Sequence, residues 1–141
     1  VVALADPLFE HCRQALRARG AFLPHAAVLN AEGRITLMGA MTGSKDGFAN
    51  STQVLAMLHG GLRQLSREKV LVAVAVAVNH SGVRANQPIQ AIKVLFEHER
   101  GLSVAMFLPF HKDHLGVYAF GESFVVPVSP EVKLWPGVQA M

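Results

Sequence analysis

The 141-residue chain is short of several residue types, and each shortage excludes a class of protein. It has a single cysteine, Cys12, so no disulfide can form within the chain. Only 16% of its residues are charged while 51% are hydrophobic, a balance that excludes intrinsic disorder. Its longest apolar run, residues 70–78, is less than half of the roughly 20 residues that a membrane-spanning helix needs. The composition predicts one compact domain, residues 1–141, with no membrane partner.

The charge is weakly positive and dispersed. Thirteen Lys and Arg residues stand against ten Asp and Glu residues, a formal net charge of +3 at pH 7. The basic residues run from Arg13 to Lys133 without forming one stripe, whereas a nucleic-acid backbone is bound by a clustered patch. We therefore expect no nucleic-acid partner.

The lone cysteine also bears on the compartment. Cys12 lies in an apolar helical stripe, where a thiol behaves as a small hydrophobe, and we expect a cytoplasmic protein. Residues 1–5 are apolar but too few, and lack the basic flank, for a signal peptide. Because the chain does not begin with Met, trimming from a longer precursor stays open.

Two helices are predicted. Asp6 and Pro7 suit the start of the first, which then runs to about Arg19 and ends at Gly20. The second begins at Asn50 or Ser51 and runs to about Ser66. The predicted apolar faces are Leu8, Cys12, Ala15 and Leu16 in the first, and Val54, Leu55, Met57, Leu58, Leu62 and Leu65 in the second.

Two glycines interrupt the second helix. Gly60 and Gly61 each cost roughly 1 kcal/mol in helix propensity relative to alanine. A close packing contact at these positions would explain their presence.

A first hairpin is predicted between residues 21–29 and 34–40. Asn30 and Gly33 bound the turn and tolerate the left-handed backbone that a short connection requires. Pro24 cannot donate to a sheet ladder, so the first of the two strands should be an edge or carry a bulge.

Residues 70–78 are predicted to form a central strand with apolar side chains on both faces. One face carries five valines, and the other carries Leu71, Ala73, Ala75 and Ala77. The small alanine face would allow the close approach of a helix or of a second subunit, and the sequence leaves both open.

A second hairpin is predicted between residues 89–99 and 102–110. With a two-residue turn at Arg100 and Gly101, partner numbers sum to 201, so that Phe96 would face Ala105. Residues 117–120 add a possible strand, and the tail from Pro127 should lie over the body with Trp135 as its anchor. The fold prediction is α+β in the order αββαβββ, an antiparallel sheet of about five or six strands with two helices.

Histidines supply the candidate chemistry. Glu97 with His98 is a candidate acid/base pair, and His111, Asp113 and His114 are candidate metal ligands or acid/base groups. The two clusters lie at opposite ends of the second hairpin and cannot form one site within it. Solvated turn residues are the competing interpretation, so no catalytic residue, metal or cofactor is assigned.

A polar loop before the second helix is a candidate ligand site. Glycine-permitted turns, hydroxyls and a lysine lead into a helix N-terminus, which attracts anions. An ordinary connecting loop is the alternative. The candidate anion-binding residues are Thr42, Ser44, Lys45, Asn50 and Ser51.

Two stretches resemble small bacterial proteins of unassigned function. They are FLPHAAVLN at residues 22–30, followed by Glu32 and Gly33, and AIKVLFEH at residues 91–98. In that pattern an aromatic-x-Pro-aromatic strand enters a hairpin and a later strand ends in Glu-His; here His25 replaces the second aromatic. The element order also resembles roadblock and profilin-like modules, whose members dimerise and scaffold small GTPases. Such a fold resemblance implies no activity.

These observations favour a non-enzymatic interaction or regulatory module that forms a homodimer, with an unidentified protein or small-molecule partner. The expected interaction surfaces are residues 70–78 and the exposed side of the second hairpin. The alternatives are an anion-binding protein that uses residues 42–51, and a small hydrolase or lyase that uses the histidine clusters.

Overall fold

The computed structural model describes residues 2–20, 22–39, 51–84 and 86–135, which form two helices and one antiparallel sheet of seven strands. The α+β class is confirmed, with more strands than the five or six expected. The elements are α1 (Val2–Arg19), β1 (His25–Asn30), β2 (Ile35–Gly39), α2 (Ser51–Glu68), β3 (Leu71–Arg84), β4 (Gln87–His98), β5 (Ser103–Lys112), β6 (Tyr118–Phe120) and β7 (Phe124–Pro127).

The sheet runs in the order β2-β1-β3-β4-β5-β6. Two short strands pair with the outer side of β5. Strand β6 pairs with its C-terminal part, Phe110 to Lys112, and β7 pairs with residues 104–107. Strand β7 is a short element that the sequence did not signal.

Helix α1 covers one face of the sheet, here called the α1 face. Its fully buried side chains include Leu8, Cys12 and Leu16. They share a core with the alanines of β3 and with apolar side chains of β4 and β5, namely Ala73, Ala75, Ala77, Ile92, Val94, Phe96, Met106, Leu108 and Phe110. The element that approaches the alanine face of β3 is therefore a helix of the same chain.

Helix α2 covers the opposite face, here called the α2 face. Val54, Leu58 and Leu62 pack with Ala26 and Val28 of β1 and with the β3 valines 74 and 76. The C-terminal segment extends this layer, with Val132 buried and Trp135 partly buried against the same core, as expected for the tail. Since residues 73–77 are buried by the chain itself, they offer no surface to a partner.

A bulge at Val72 breaks the alternation of β3. Leu29 pairs with Ala73 while the next residue, Asn30, pairs with Leu71, so Val72 is the extra residue. Leu71 consequently joins the α2 face, although the strict alternation of the sequence placed it with the alanines.

Helix α1 begins earlier than predicted. It starts at Val2, so Pro7 lies inside the helix, where it removes only the amide that would bond to the carbonyl of Ala3. The predicted end is confirmed, because Gly20 has φ of 73° and its N–H donates to the Leu16 carbonyl over 2.8 Å.

The turn of the first hairpin is confirmed. The Asn30 side-chain oxygen accepts hydrogen bonds from the N–H groups of Glu32 and Arg34, and Gly33 has φ of 84°. The prediction that the first strand is an edge or is bulged at Pro24 was wrong. Pro24 precedes β1, which lies between β2 and β3, and β2 is the edge strand.

The predicted register of the second hairpin was wrong by one residue. Partner numbers sum to 200, so Phe96 faces Val104 and Gln90 faces Phe110. The turn contains three residues, 99–101, closed by the His98 N–H to the Leu102 carbonyl, and Gly101 has φ of 99°. A three-residue turn that ends in a left-handed glycine accounts for the shift.

Helix α2 departs from its predicted apolar face at one position. Met57 is 46% exposed, because Val54, Leu58 and Leu62 repeat every four residues and define a narrower buried stripe. Among the described residues, the expected close contact at the glycines is not found. A Cβ at Gly60 would meet no described atom within 4 Å, and one at Gly61 would lie 3.8 Å from Met38 Cε.

Within the described residues, neither helix combines the length and the apolar character that crossing a bilayer requires.

Candidate functional site

Glu97 has a structural partner in the C-terminal segment. Glu97 is only 3% exposed, and its carboxylate accepts hydrogen bonds from three successive N–H groups, those of Glu131, Val132 and Lys133, at 2.9, 2.9 and 3.0 Å. Lys133 has φ of 60°, the left-handed backbone that is common in such tight turns. Such successive amides form an anion-binding nest, here occupied by the chain's own carboxylate. We call Glu97 with residues 131–133 the Glu97 clamp.

Glu97 and His98 lie on opposite faces of β4. Glu97 pairs with Val74 on the α2 face, whereas His98 pairs with Ala73 on the α1 face. His98 Nδ1 accepts a hydrogen bond from the Arg100 N–H at 3.1 Å and so helps to close the hairpin turn. The structure does not bring this candidate acid/base pair together.

The second histidine cluster lies at the β5–β6 turn. Asp113 Oδ1 accepts hydrogen bonds from the N–H groups of Leu115 and Val117 at 2.8 and 2.9 Å, which closes the turn. His111 and His114 are exposed. In the part of the chain that the structure describes, no three His, Cys, Asp or Glu side chains are placed to hold a metal ion.

The candidate anion loop is not open to a structural test. Thr42, Ser44, Lys45 and Asn50 lie outside the described residues, and Ser51 is the first residue of α2. Anion binding by this loop stays a prediction.

Two polar atoms are buried near the Glu97 clamp without a hydrogen-bond partner among the described residues. They are His59 Nε2 and Ser103 Oγ. Ser103 is the cross-strand partner of Glu97. Burial lowers the pKa of His59, Arg63 lowers it further, and the carboxylates of Glu131 and Glu97 act in the opposite direction. No sequence pattern marks this polar cluster, because its members come from four separate elements.

A histidine pair joins α1 to β1. The rings of His11 and His25 are stacked with centroids 4.2 Å apart and planes 22° apart. Gly39 makes room for the stack, since a Cβ there would lie 3.0 Å from His25 Cε1. The pKa of His25 is lowered by burial and by the neighbouring His11. The adjacent Cys12 is buried, which raises the pKa of its thiol to about 12 and favours the uncharged thiol at neutral pH.

The outer side of the second hairpin is filled by side chains of this chain. On the α2 face, the Phe107 ring stacks 5.0 Å from the Phe124 ring and lies edge-on 5.1 Å from His80. Lys93 Nζ lies 6.0 Å from the Phe107 centroid and 3.8 Å from Glu131. This predicted interaction surface is only partly exposed.

Strand β2 carries exposed apolar side chains that sequence reasoning missed. Ile35 is 38% exposed and Leu37 is 46% exposed, and both lie on the α1 face of the sheet. On its outer side β2 pairs with no strand of the described residues. The signal that pointed elsewhere was Pro24, which suggested β1 as the edge.

A cleft of about 860 Å³ opens where β4 and β5 separate. Their pairing ends at Gln90 and Phe110, after which β4 continues with β3 and β5 continues with β6. Of the candidate residues, His111 lines this cleft.

Comparison with known proteins adds no relative: the chain matches no protein-family model, no curated protein and no solved structure.

Proposed function

We propose that this protein is an interaction module that forms a homodimer through the edge strand β2. The observation that supports the proposal is an edge strand with two exposed large apolar side chains, Ile35 and Leu37. An uncovered strand of this kind presents backbone donors and acceptors to another chain.

The two edges of the sheet differ in their protection. Strand β2 has five residues and none of them is charged or proline. The other edge is divided between β6, with three residues, and β7, with four residues that end in Pro127. Short strands and prolines are common protections against edge pairing, so β2 is the edge suited to a partner.

A second copy fits β2 by symmetry. Antiparallel pairing about a two-fold axis at Leu37 would set Ile35 against Gly39 and Thr36 against Met38, with no like charges opposed within the strand. The Leu37 side chains of the two copies would meet and lose their exposure to water. The result would be one continuous sheet across both copies.

The test is the molar mass in solution by light scattering across a dilution series. We expect the mass of two 15.2 kDa chains for the wild type and of one chain for Leu37→Lys, which places a charge at the centre of the strand pair. Leu115→Lys is the matched control, because Leu115 is 77% exposed in the β5–β6 turn and far from β2 along the sheet.

A wild type that is monomeric at every concentration would overturn the proposal. So would a Leu37→Lys variant that keeps its secondary structure by circular dichroism and still dimerises. The resemblance to roadblock and profilin-like modules stays a prediction, and self-association is the property that it shares with this proposal.

We also place the protein in the cytoplasm. A single buried thiol, Cys12, is typical of proteins that fold in a reducing compartment. Fractionation of the native host, with detection by an antibody, tests this assignment.

A further inference from the structure

We propose that the cleft between the β3–β4 arm and the β5–β6 arm binds a small organic anion with a flat apolar body, such as an aromatic carboxylate or phosphate. The cleft lies at the opposite side of the sheet from β2, and the proposal is independent of dimer formation.

The cleft arises from the divergence of two strands. Ser81, Gln90 and Phe110 are successive cross-strand partners, and all three line the cleft. Beyond them Pro88 has no N–H with which to extend a ladder toward β5. Helix α1 has already ended at Gly20, so it does not cover this end of the α1 face.

The size and the aromatic walls of the cleft suit a ring. Its volume of about 860 Å³ lies within the range of small-molecule sites. Phe110 and Tyr118 line it with ring centroids 6.1 Å apart, and Pro88 and Pro109 add apolar surface. The Tyr118 hydroxyl donates to the Gly20 carbonyl over 3.4 Å, which holds that wall in place.

The charge of the cleft suits an anion. Lys112 lines it with Nζ 5.8 Å from the Tyr118 centroid, and none of the described lining residues is acidic. Arg17 lies 5.4 Å from the Phe120 ring, next to Phe110, and with Arg19 it offsets the partial negative charge at the carboxyl end of α1. The hydroxyl of Ser81 and the amide of Gln90 supply neutral hydrogen-bond donors.

The test is a titration followed by amide chemical shifts in two-dimensional NMR. The probes are benzoate and phenyl phosphate, with benzyl alcohol as the neutral ring and inorganic phosphate as the anion without a ring. We expect saturable shifts at residues 81–90 and 109–121 with at least one of the two aromatic anions, and weaker binding of both comparison probes. The stronger of benzoate and phenyl phosphate identifies carboxylate or phosphate as the preferred charge.

Lys112→Gln removes the lysine from the cleft and should weaken binding of the preferred aromatic anion by about tenfold, the effect of losing one charged hydrogen bond. Lys69→Gln makes the same change of charge at an exposed lysine after α2 and should leave binding unchanged. The proposal is overturned if neither anion gives saturable shifts, if the shifts fall outside the cleft, if benzyl alcohol binds as tightly, or if Lys112→Gln binds like the wild type.

Discussion

The two faces of the sheet are held in different ways. On the α1 face one apolar core runs from the helix across β1 and β3 to Phe110 at the far end of β5. On the α2 face the apolar core lies under α2 and the C-terminal segment, beside the charged Glu97 clamp and the unpaired atoms of His59 and Ser103.

The difference shows that the two faces of one sheet can be covered by layers that are held in different ways. The alanines of β3 let α1 approach closely, so that apolar packing is the main contact of that layer. The C-terminal segment packs Val132 against the α2-face core and adds polar contacts, because three backbone N–H groups donate hydrogen bonds to one buried carboxylate and hold its turn in place. Substitutions on the two faces should therefore destabilise the protein in different ways.

The largest effect is expected on the α1 face. Leu8→Ala leaves a cavity in the core under α1 and should lower the free energy of unfolding by about 3 kcal/mol, measured by urea denaturation. Leu115→Ala, at an exposed leucine, should change it by less than about 0.5 kcal/mol. Equal losses in the two variants would show that α1 is not held by packing.

A smaller but more local effect is expected at the Glu97 clamp. Glu97→Gln removes the negative charge and one of two acceptor oxygens, and should cost about 2 kcal/mol because at least one of the three N–H groups loses its acceptor. Limited proteolysis should then cut near residues 128–135 before the rest of the fold. Glu122→Gln, at an exposed carboxylate, is the control. A uniform loss of protection across the chain would contradict a local role for the clamp.

Helix α2 should gain stability at its exposed glycine. Gly60→Ala lowers the entropy of the unfolded chain, and its methyl group would meet no described atom within 4 Å. We expect a gain of about 1 kcal/mol, read as a higher melting temperature in calorimetry. The comparison is Gly33→Ala, which should destabilise because Gly33 has φ of 84°. A loss at Gly60 would mean that the α2 layer requires a flexible helix.

The smallest expected effect is the pH dependence of folding stability that arises from one histidine on each face. The pKa values of His25 on the α1 face and His59 on α2 are both lowered, chiefly by burial, so folding favours their neutral forms. The stability that they contribute is complete above the unfolded pKa of about 6.5 and is lost as the pH falls toward their folded values. The urea concentration at the unfolding midpoint should therefore decrease when the pH is lowered from 7.5 to 5.5.

In the double variant His25→Phe and His59→Leu, the urea midpoint should decrease less over this pH range than in the wild type. His114→Gln, at an exposed histidine, should behave as the wild type does. A wild-type midpoint that rises on acidification would contradict the direction of both pKa shifts.

The candidate site was predictable only in part. The sequence identifies the candidate histidines and acids, but their roles depend on which face of a strand each side chain occupies. Glu97 and His98 are adjacent in the chain and lie on opposite faces of β4. The cleft could not be foreseen, because it forms where two strand pairings end, and a one-residue change in the turn at 99–101 moves every partner along it. The exposed edge was assigned to the wrong strand for a similar reason, since Pro24 marks a strand boundary as readily as an edge.

By itself the sequence determined the local structure. Asn30 and Gly33 specified one turn, Gly20 ended a helix, and apolar spacing marked the buried stripes of both helices. These signals act through backbone conformation and neighbours a few residues apart, which the sequence displays directly. Tertiary structure alone decided which helix covers which face, which strand lies at the edge, and that residues 131–133 hold Glu97. Those outcomes depend on contacts between residues tens of positions apart, where alternative pairings of similar apolar character differ by little free energy.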